Sequence, residues 1–387
     1  MKVLLAHPGS ELYGSDRMAV AAVAAIVQAG HEVVVVIPHD GPLGPLFVEA
    51  GATLEVVDLP VLRKALLRPK GLLGLIGRMP RTLARSRRLI RDGGVDVVYA
   101  NTITQPWWLL AARLSRRPSL VHVREAETEI PVIAQRVLLA PLSLADVAVS
   151  NSRSTEQHVI ERGFGMRAKS RVVYNGKDWS PYFRSAFTGV GERPEILFIG
   201  RLNPRKGPDV AIRALGLLVR HGIDARLTLV GSIFPGYEWY TEELEALVAE
   251  LDLGDRVEFA GFQSDAAPFL ERADVLVVPS RIEPFGTVAA EGMAADRPTV
   301  VSDVQGLVEI VDDPSVGRSF PVGDHERLAA VLEQIIGDEA LAASLARNGR
   351  ASVLERFSPE AYARGIVAAV DAAATRRRTD RRKAASR

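Results

Sequence analysis

Cysteine is missing from all 387 residues, which excludes disulfides, thiolate metal sites and cysteine nucleophiles. No stretch reaches the roughly 18 uncharged apolar residues of a membrane-spanning helix. The apolar run at the start, within Met1 to Gly9, is too short for a secretory signal. The expected compartment is therefore the cytoplasm. An Asp-x-Asp pair of the kind that carries Mg²⁺ or Mn²⁺ is absent, so no metal is expected. Neither sign of charge dominates: 48 Lys and Arg stand against 47 Asp and Glu. What remains, 47% hydrophobic and 25% charged, is ordinary for a soluble globular protein of one large domain or two.

Short apolar runs alternate with helical patterns along the chain. Lys2–Ala6, a loop, a helical pattern from about Asp16 to Ala29, Gly30 and the valine-rich 31–38 form a βαβ unit, which implies a parallel sheet. Gly9 and Gly14 are too far apart for a dinucleotide fingerprint. That loop reads as a ligand contact or as structural turn chemistry. After an aperiodic stretch at 177–194, taken as a linker, the pattern begins again. It includes a long helical region, 324–357, expected to break near Gly337 and Gly349.

The most informative stretch is Glu283-Pro284-Phe285-Gly286-Thr287-Val288-Ala289-Ala290-Glu291. It follows an apolar strand and opens a helix. A helix start after a strand favours a phosphate, because its first N–H groups lack intrahelical acceptors. Two carboxylates beside a phosphate are tolerable if they accept hydrogen bonds from hydroxyls flanking it. A nucleotide-sugar has that layout; taken alone, the stretch reads equally as a surface loop.

Between 61 and 91 lie ten basic residues, among them Arg63, Arg68, Arg78, Arg81, Arg85 and Arg88, with interleaved leucines and no acid. The segment reads as an anionic-membrane surface or as a solvated basic helix face. Nucleic acid is not expected as a partner, since the segment has no aromatic residue for stacking.

These motifs together resemble the retaining glycosyltransferases of the GT-B fold, glycosyltransferase family 4. The likeness rests on Gly200-Arg201-Leu202…Lys206-Gly207, on the Glu283-x7-Glu291 spacing and on the run Val300 to Glu309. Tyr13-Gly14-Ser15-Asp16-Arg17, His122-Val123-Arg124-Glu125 and Tyr174-Asn175-Gly176 add weaker matches. Many members have two adjacent glycines where this chain has Gly14 and Ser15, so the donor contact of that loop is open.

The resemblance implies an α/β architecture of two Rossmann-like doubly wound domains with a cleft between them. The expected division is 1–185 on the acceptor side, 186–357 for the nucleotide-sugar, a helix 358–375 returning to the first domain and a disordered basic tail 376–387. It implies that Arg201 and Lys206 hold the donor diphosphate, where cations stabilise the leaving group. It further implies that the backbone of Phe285, Gly286, Thr287 and Val288 completes the phosphate cradle. Glu283 would hold the transferred sugar, Glu291 the ribose, and His122 would lie near the sugar. Gly14, Gly231 and Phe262 are expected to line the donor site, the last two beside the base. The implied reaction moves a hexose from a nucleotide-diphosphate sugar to a lipid-linked or polysaccharide acceptor of the cell envelope. No cofactor is needed on this reading. A sugar-nucleotide epimerase and a non-catalytic nucleotide-sugar-binding subunit are the alternatives.

Overall fold

The alternation of valine-rich runs with helical segments becomes two fully parallel sheets. The computed structural model describes residues 1–11, 14–62, 69–125, 128–233 and 236–385. They divide into two units, 1–177 with 359–387, and 178–358.

In the first unit the order is β1 (Lys2–Ala6), α1 (Gly14–Gln28), β2 (Glu32–Ile37), α2 (Leu43–Glu49), β3 (Thr53–Val56), α3 (Pro69–Asp92), β4 (Val97–Asn101), α4 (Trp107–Leu114), β5 (Ser119–Val123), α5 (Val132–Leu139), β6 (Val147–Ser150), α6 (Arg153–Arg162) and β7 (Ser170–Val172). The sheet order is β3-β2-β1-β4-β5-β6-β7. β2, with four consecutive valines, is buried at every position but its first, as a strand covered on both faces requires. Side chains alternate between the faces: Val3 and Leu5 enter one core cluster, Leu4 and Ala6 the other.

The second unit runs β8 (Glu195–Ile199), α7 (Pro208–Arg220), β9 (Arg226–Val230), α8 (Glu238–Glu250), β10 (Val257–Gly261), α9 (Ala267–Arg272), β11 (Val275–Val278), α10 (Thr287–Ala294), β12 (Thr299–Ser302), α11 (Leu307–Ile310), β13 (Arg318–Phe320), α12 (His325–Gly337) and α13 (Glu339–Arg356). Its sheet order is β10-β9-β8-β11-β12-β13. Each sheet reverses direction of growth once, at β1/β4 and at β8/β11. Ligands of such sheets bind beyond the carboxyl ends of the strands at that reversal.

The last helix, α14 (Pro359–Ala385), belongs to the first unit. Tyr362, Ile366, Ala369, Val370 and Ala373, on one helical face, are buried in that unit's core. The tail expected to be irregular from Arg376 is instead helical to Ala385. It contains no Gly or Pro, and Arg, Lys and Ala are good helix formers.

Three further expectations change. α13 passes through Gly349 without a break, because that glycine lets the helix approach a neighbouring backbone: a Cβ there would lie 2.8 Å from Val316 O. The stretch taken as a linker from 177 falls, from Asp178 on, within the second unit, where Trp179 is buried and its Nε1–H donates to Phe357 O at 2.8 Å.

The third change concerns the basic segment. Residues 63–68 lie outside the described part; from Pro69 the segment is α3. Leu75, Met79, Leu83 and Leu89 of α3 pack on the core and Ile90 lies within it. Arg78, Arg81, Arg85 and Arg88 stand exposed along one side. These apolar residues are therefore not available to a bilayer, and what α3 presents is an arginine stripe. Among the described residues no helix is long and apolar enough to cross a membrane.

Candidate active site

In the second unit the two motif loops follow the carboxyl ends of β8 and β11, which are neighbours in the sheet. The first loop is shaped by its own residues. Asn203 accepts a hydrogen bond from the Lys206 amide at 3.2 Å and closes the turn Pro204–Lys206. Gly207 then adopts φ 68° and leads into α7; a Cβ there would meet Pro279 O at 2.1 Å. The second loop is tied to the first by the Arg281 amide, which donates to Arg205 O at 2.8 Å. The Arg281 guanidinium donates to Pro204 O at 2.8 Å and grips Asp209 of α7 at 2.7 and 2.9 Å. Tyr240 donates to the same carboxylate at 2.6 Å. Burial opposes the charge on Asp209, but the bonds from Arg281 and Tyr240 outweigh it and hold its pKa below the usual carboxylate value.

This bracing brings Lys206 Nζ onto Glu283 Oε2 in an ion pair. Glu283 is itself fixed: Gln305 accepts from its amide at 2.8 Å, and its carbonyl accepts from Gly306 N at 3.1 Å. Gly286, at φ 102°, turns the chain into α10, where a Cβ would lie 2.5 Å from the Leu307 side chain. Thr287 and Val288 open α10, whose first turn leaves backbone N–H groups without intrahelical acceptors. The Phe285 ring is buried edge-on against Phe357 at 5.5 Å, so only its main chain can face a ligand. Glu291, one turn into α10, accepts from Tyr182 OH at 2.9 Å. Arg201 follows Gly200 at the end of β8, half-buried.

Gly231 ends β9 at φ 151°, and a Cβ there would fall 1.8 Å from Gly200 O. The close approach of two loops explains that glycine without any ligand. Phe262, just past β10, is 73% exposed. A cavity of about 270 Å³ lined by Glu195, Arg226, Thr228, Arg256 and Glu258 lies at the amino ends of β8–β10, the opposite edge from the motif loops. The Thr228 hydroxyl donates to Glu195 and lies 3.3 Å from the Glu258 carboxylate. Among the described residues no three His, Asp or Glu are grouped to hold a metal.

In the first unit the loops after β1, β4 and β5 meet in a buried polar relay. Arg124 Nε donates to Asn101 Oδ1 at 3.1 Å, so the Asn101 amide nitrogen faces His7 Nδ1 at 2.7 Å and donates to it. His7 must then carry its proton on Nε2, which donates to Asp16 at 3.1 Å. Burial lowers the His7 pKa, with Asp16 only partly offsetting it. Arg124 also reaches Asn175 at 3.3 Å, Tyr362 OH at 3.3 Å and His122 Nδ1 at 3.2 Å. Tyr99 OH lies 2.7 Å from the same His122 nitrogen. His122 is fully buried and its pKa is well below the ordinary histidine value, through burial first and Arg124 second. Gly14 begins α1, immediately after residues outside the described part. Thus the loops near 9–16 and 122–125 converge within one unit and those at 200–207 and 280–287 within the other.

The family described as Glycosyltransferase Family 4 matches residues 13–179, and that described as Glycosyl transferases group 1 matches residues 183–352. A D-inositol 3-phosphate glycosyltransferase of Acidothermus cellulolyticus is 31% identical over 330 residues, covering 78% of this chain and 73% of that protein. The chain belongs to glycosyltransferase family 4. Another relative of this family-4 chain is the lipopolysaccharide core biosynthesis glycosyltransferase LpsE of Rhizobium meliloti, 34% identical over 56% of this chain and 61% of its own length. The chain thus spans about three fifths of that relative. In fold it is similar to Anabaena HepE in complex with UDP and glucose, at 24% identity and a TM-score of 0.78, covering 96% of this chain and 99% of that one. The similarity supports the two-Rossmann GT-B architecture.

Several residues that shape these loops carried no signal in the sequence. Tyr182 sits in the stretch taken as a linker, while Asp209 reads as an ordinary acid in a first helical turn. Arg281 and Gln305 stand out in no pattern. Arg124 belonged to a quoted motif, but its role needs the partners that the sheet supplies.

Proposed function

We propose that this chain is a retaining glycosyltransferase moving a hexose from a nucleoside diphosphate sugar to a hydroxyl of a cell-envelope glycolipid or polysaccharide precursor. The observation that carries the reading is the meeting of Lys206 and Glu283, from two braced loops, beside the start of α10. That arrangement would set a cation and helix amides against a phosphate, and a carboxylate against adjoining hydroxyls.

Arg201 and Lys206 would neutralise the diphosphate as the glycosidic bond breaks. The amides of Phe285, Gly286, Thr287 and Val288 would bind its oxygens. Glu283 would orient the sugar hydroxyls, and Glu291, shared with Tyr182, the ribose. Gly231 and Phe262 would border the base, and Gly14 and His122 would serve the sugar. The departing diphosphate takes the acceptor proton on the face it leaves, so the sugar keeps its configuration; no carboxylate is assigned as a nucleophile. No metal or cofactor enters this scheme, because fixed cations serve the charge. UDP in HepE and the lipopolysaccharide role of LpsE support the donor and acceptor classes. The arginine stripe of α3 is assigned to an anionic membrane surface on the cytoplasmic side.

The test is incubation of the full chain with UDP- and GDP-sugars and lipid-linked glycan acceptors, with and without EDTA. Retained anomeric configuration in the product, unaffected by EDTA, is expected. Inversion, an epimer formed without acceptor, or a chelator-sensitive reaction would each overturn a named part. Sedimentation with anionic liposomes that is indifferent to salt would remove the membrane assignment.

A further inference from the structure

We infer that Arg124 is a positioning residue that fixes His122 as the Nε2–H tautomer, making His122 a fixed hydrogen-bond donor and not a base. The inference rests on the reading of His122 as a donor-side residue, but its own ground is geometric.

A guanidinium has only donors. Arg124 Nη2 stands 3.2 Å from His122 Nδ1, so that nitrogen must accept and cannot carry the proton. Tyr99 OH, 2.7 Å from the same nitrogen, is then a second donor to it. The imidazole proton is left on Nε2. That atom is fully buried and has no hydrogen-bond partner among the described residues. A buried donor without an acceptor is costly and uncommon. A substrate oxygen that reached Nε2 would complete it.

The lock is over-determined from several elements. Arg124 is itself held by Asn101 from β4, by Asn175 after β7 and by Tyr362 from α14. Tyr362 OH in turn donates to Met18 O of α1 at 2.9 Å. Through Asn101 and His7 the arginine is linked to Asp16, a buried carboxylate at the far end of the relay. The groups facing His122 are thus Tyr99, Arg124 and, through Arg124, Tyr362; none of them is a carboxylate that would favour imidazolium.

The experiment is a long-range ¹H–¹⁵N spectrum of the full chain labelled with ¹⁵N-histidine, with His122 assigned by comparison with His122→Asn. Between pH 6 and 8 the expected pattern is a bare Nδ1 and a protonated Nε2. A proton on Nδ1, or on both nitrogens, overturns the inference. In Tyr99→Phe the pattern should persist, because Arg124 alone dictates it. In Arg124→Met the Nδ1–H form should appear, donating to Tyr99, and kcat should fall about tenfold or more with donor KM little changed. An unchanged tautomer in Arg124→Met, or a loss confined to KM, also overturns it. The wild-type spectrum decides the tautomer even if Arg124→Met fails to fold. If the tautomer is as stated and the chain transfers no sugar, the proposed function fails and the tautomer assignment stands.

Discussion

Replacing Lys206 by Met separates two roles of one ammonium group. The Lys206 side chain is 29% exposed and its partner Glu283 14%. Exposed ion pairs contribute ~0.2–1 kcal/mol, whereas stripping one partner from a buried pair costs about 3–5 kcal/mol. This pair lies between those limits, so Lys206→Met should destabilise the second unit by roughly 1–3 kcal/mol. For a unit of this size that corresponds to a Tm lower by about 3–10 °C. The catalytic loss is separate. One cation fewer at the leaving diphosphate should lower kcat by about 10²–10³-fold, by analogy with removal of a single oxyanion donor. The double variant Lys206→Met, Glu283→Gln distinguishes the two effects. It removes the uncompensated carboxylate, so most of the Tm should return while transfer stays lost. Differential scanning fluorimetry and nucleoside diphosphate release measure the two quantities on the same samples. If transfer returns with stability, the pair is only a structural latch and the diphosphate assignment is wrong.

Four further outcomes follow from the site. Gly207→Ala places a Cβ against Pro279 O in a left-handed conformation and should cost about 2–5 kcal/mol, read by urea unfolding. Asp209 has a lowered folded pKa, so its contribution to stability is complete above the unfolded value near 3.9 and is lost as pH falls through the folded one. Acid titration of Asp209→Asn should therefore lack the part of the wild-type loss that occurs below about pH 4. Tyr182→Phe removes one hydrogen bond to Glu291 and should cost no more than about 1.5 kcal/mol in unfolding experiments. Its donor KM should change while kcat is held. Trp179→Phe deletes the bond to Phe357 O and should lower the Tm of the second unit by several degrees, corresponding to about 1–2 kcal/mol.

The sequence by itself determined the repeated strand–loop–helix order, both parallel sheets and the two motif loops of the second unit. These features are local. A valine run buried on both faces reads as a strand without its partners, and Gly207 and Gly286 announce turns into helices from position alone. The spacing of Glu283 and Glu291 was legible because one turn and the helix behind it are continuous in the chain.

Only the tertiary structure decided which groups complete those residues. Arg281 reaches Asp209, Tyr182 reaches Glu291, and Arg124 reaches Asn101, Asn175 and Tyr362 across long stretches of chain. Such pairings depend on strand order and on α14 returning to the first sheet, which no spacing encodes. The same limit explains the basic segment: its leucines and arginines are visible in sequence, but which of them meet protein and which meet solvent is fixed by the core that α3 packs against. The tautomer of His122 lies further still from the sequence, since it is set by the direction from which one guanidinium approaches a ring nitrogen.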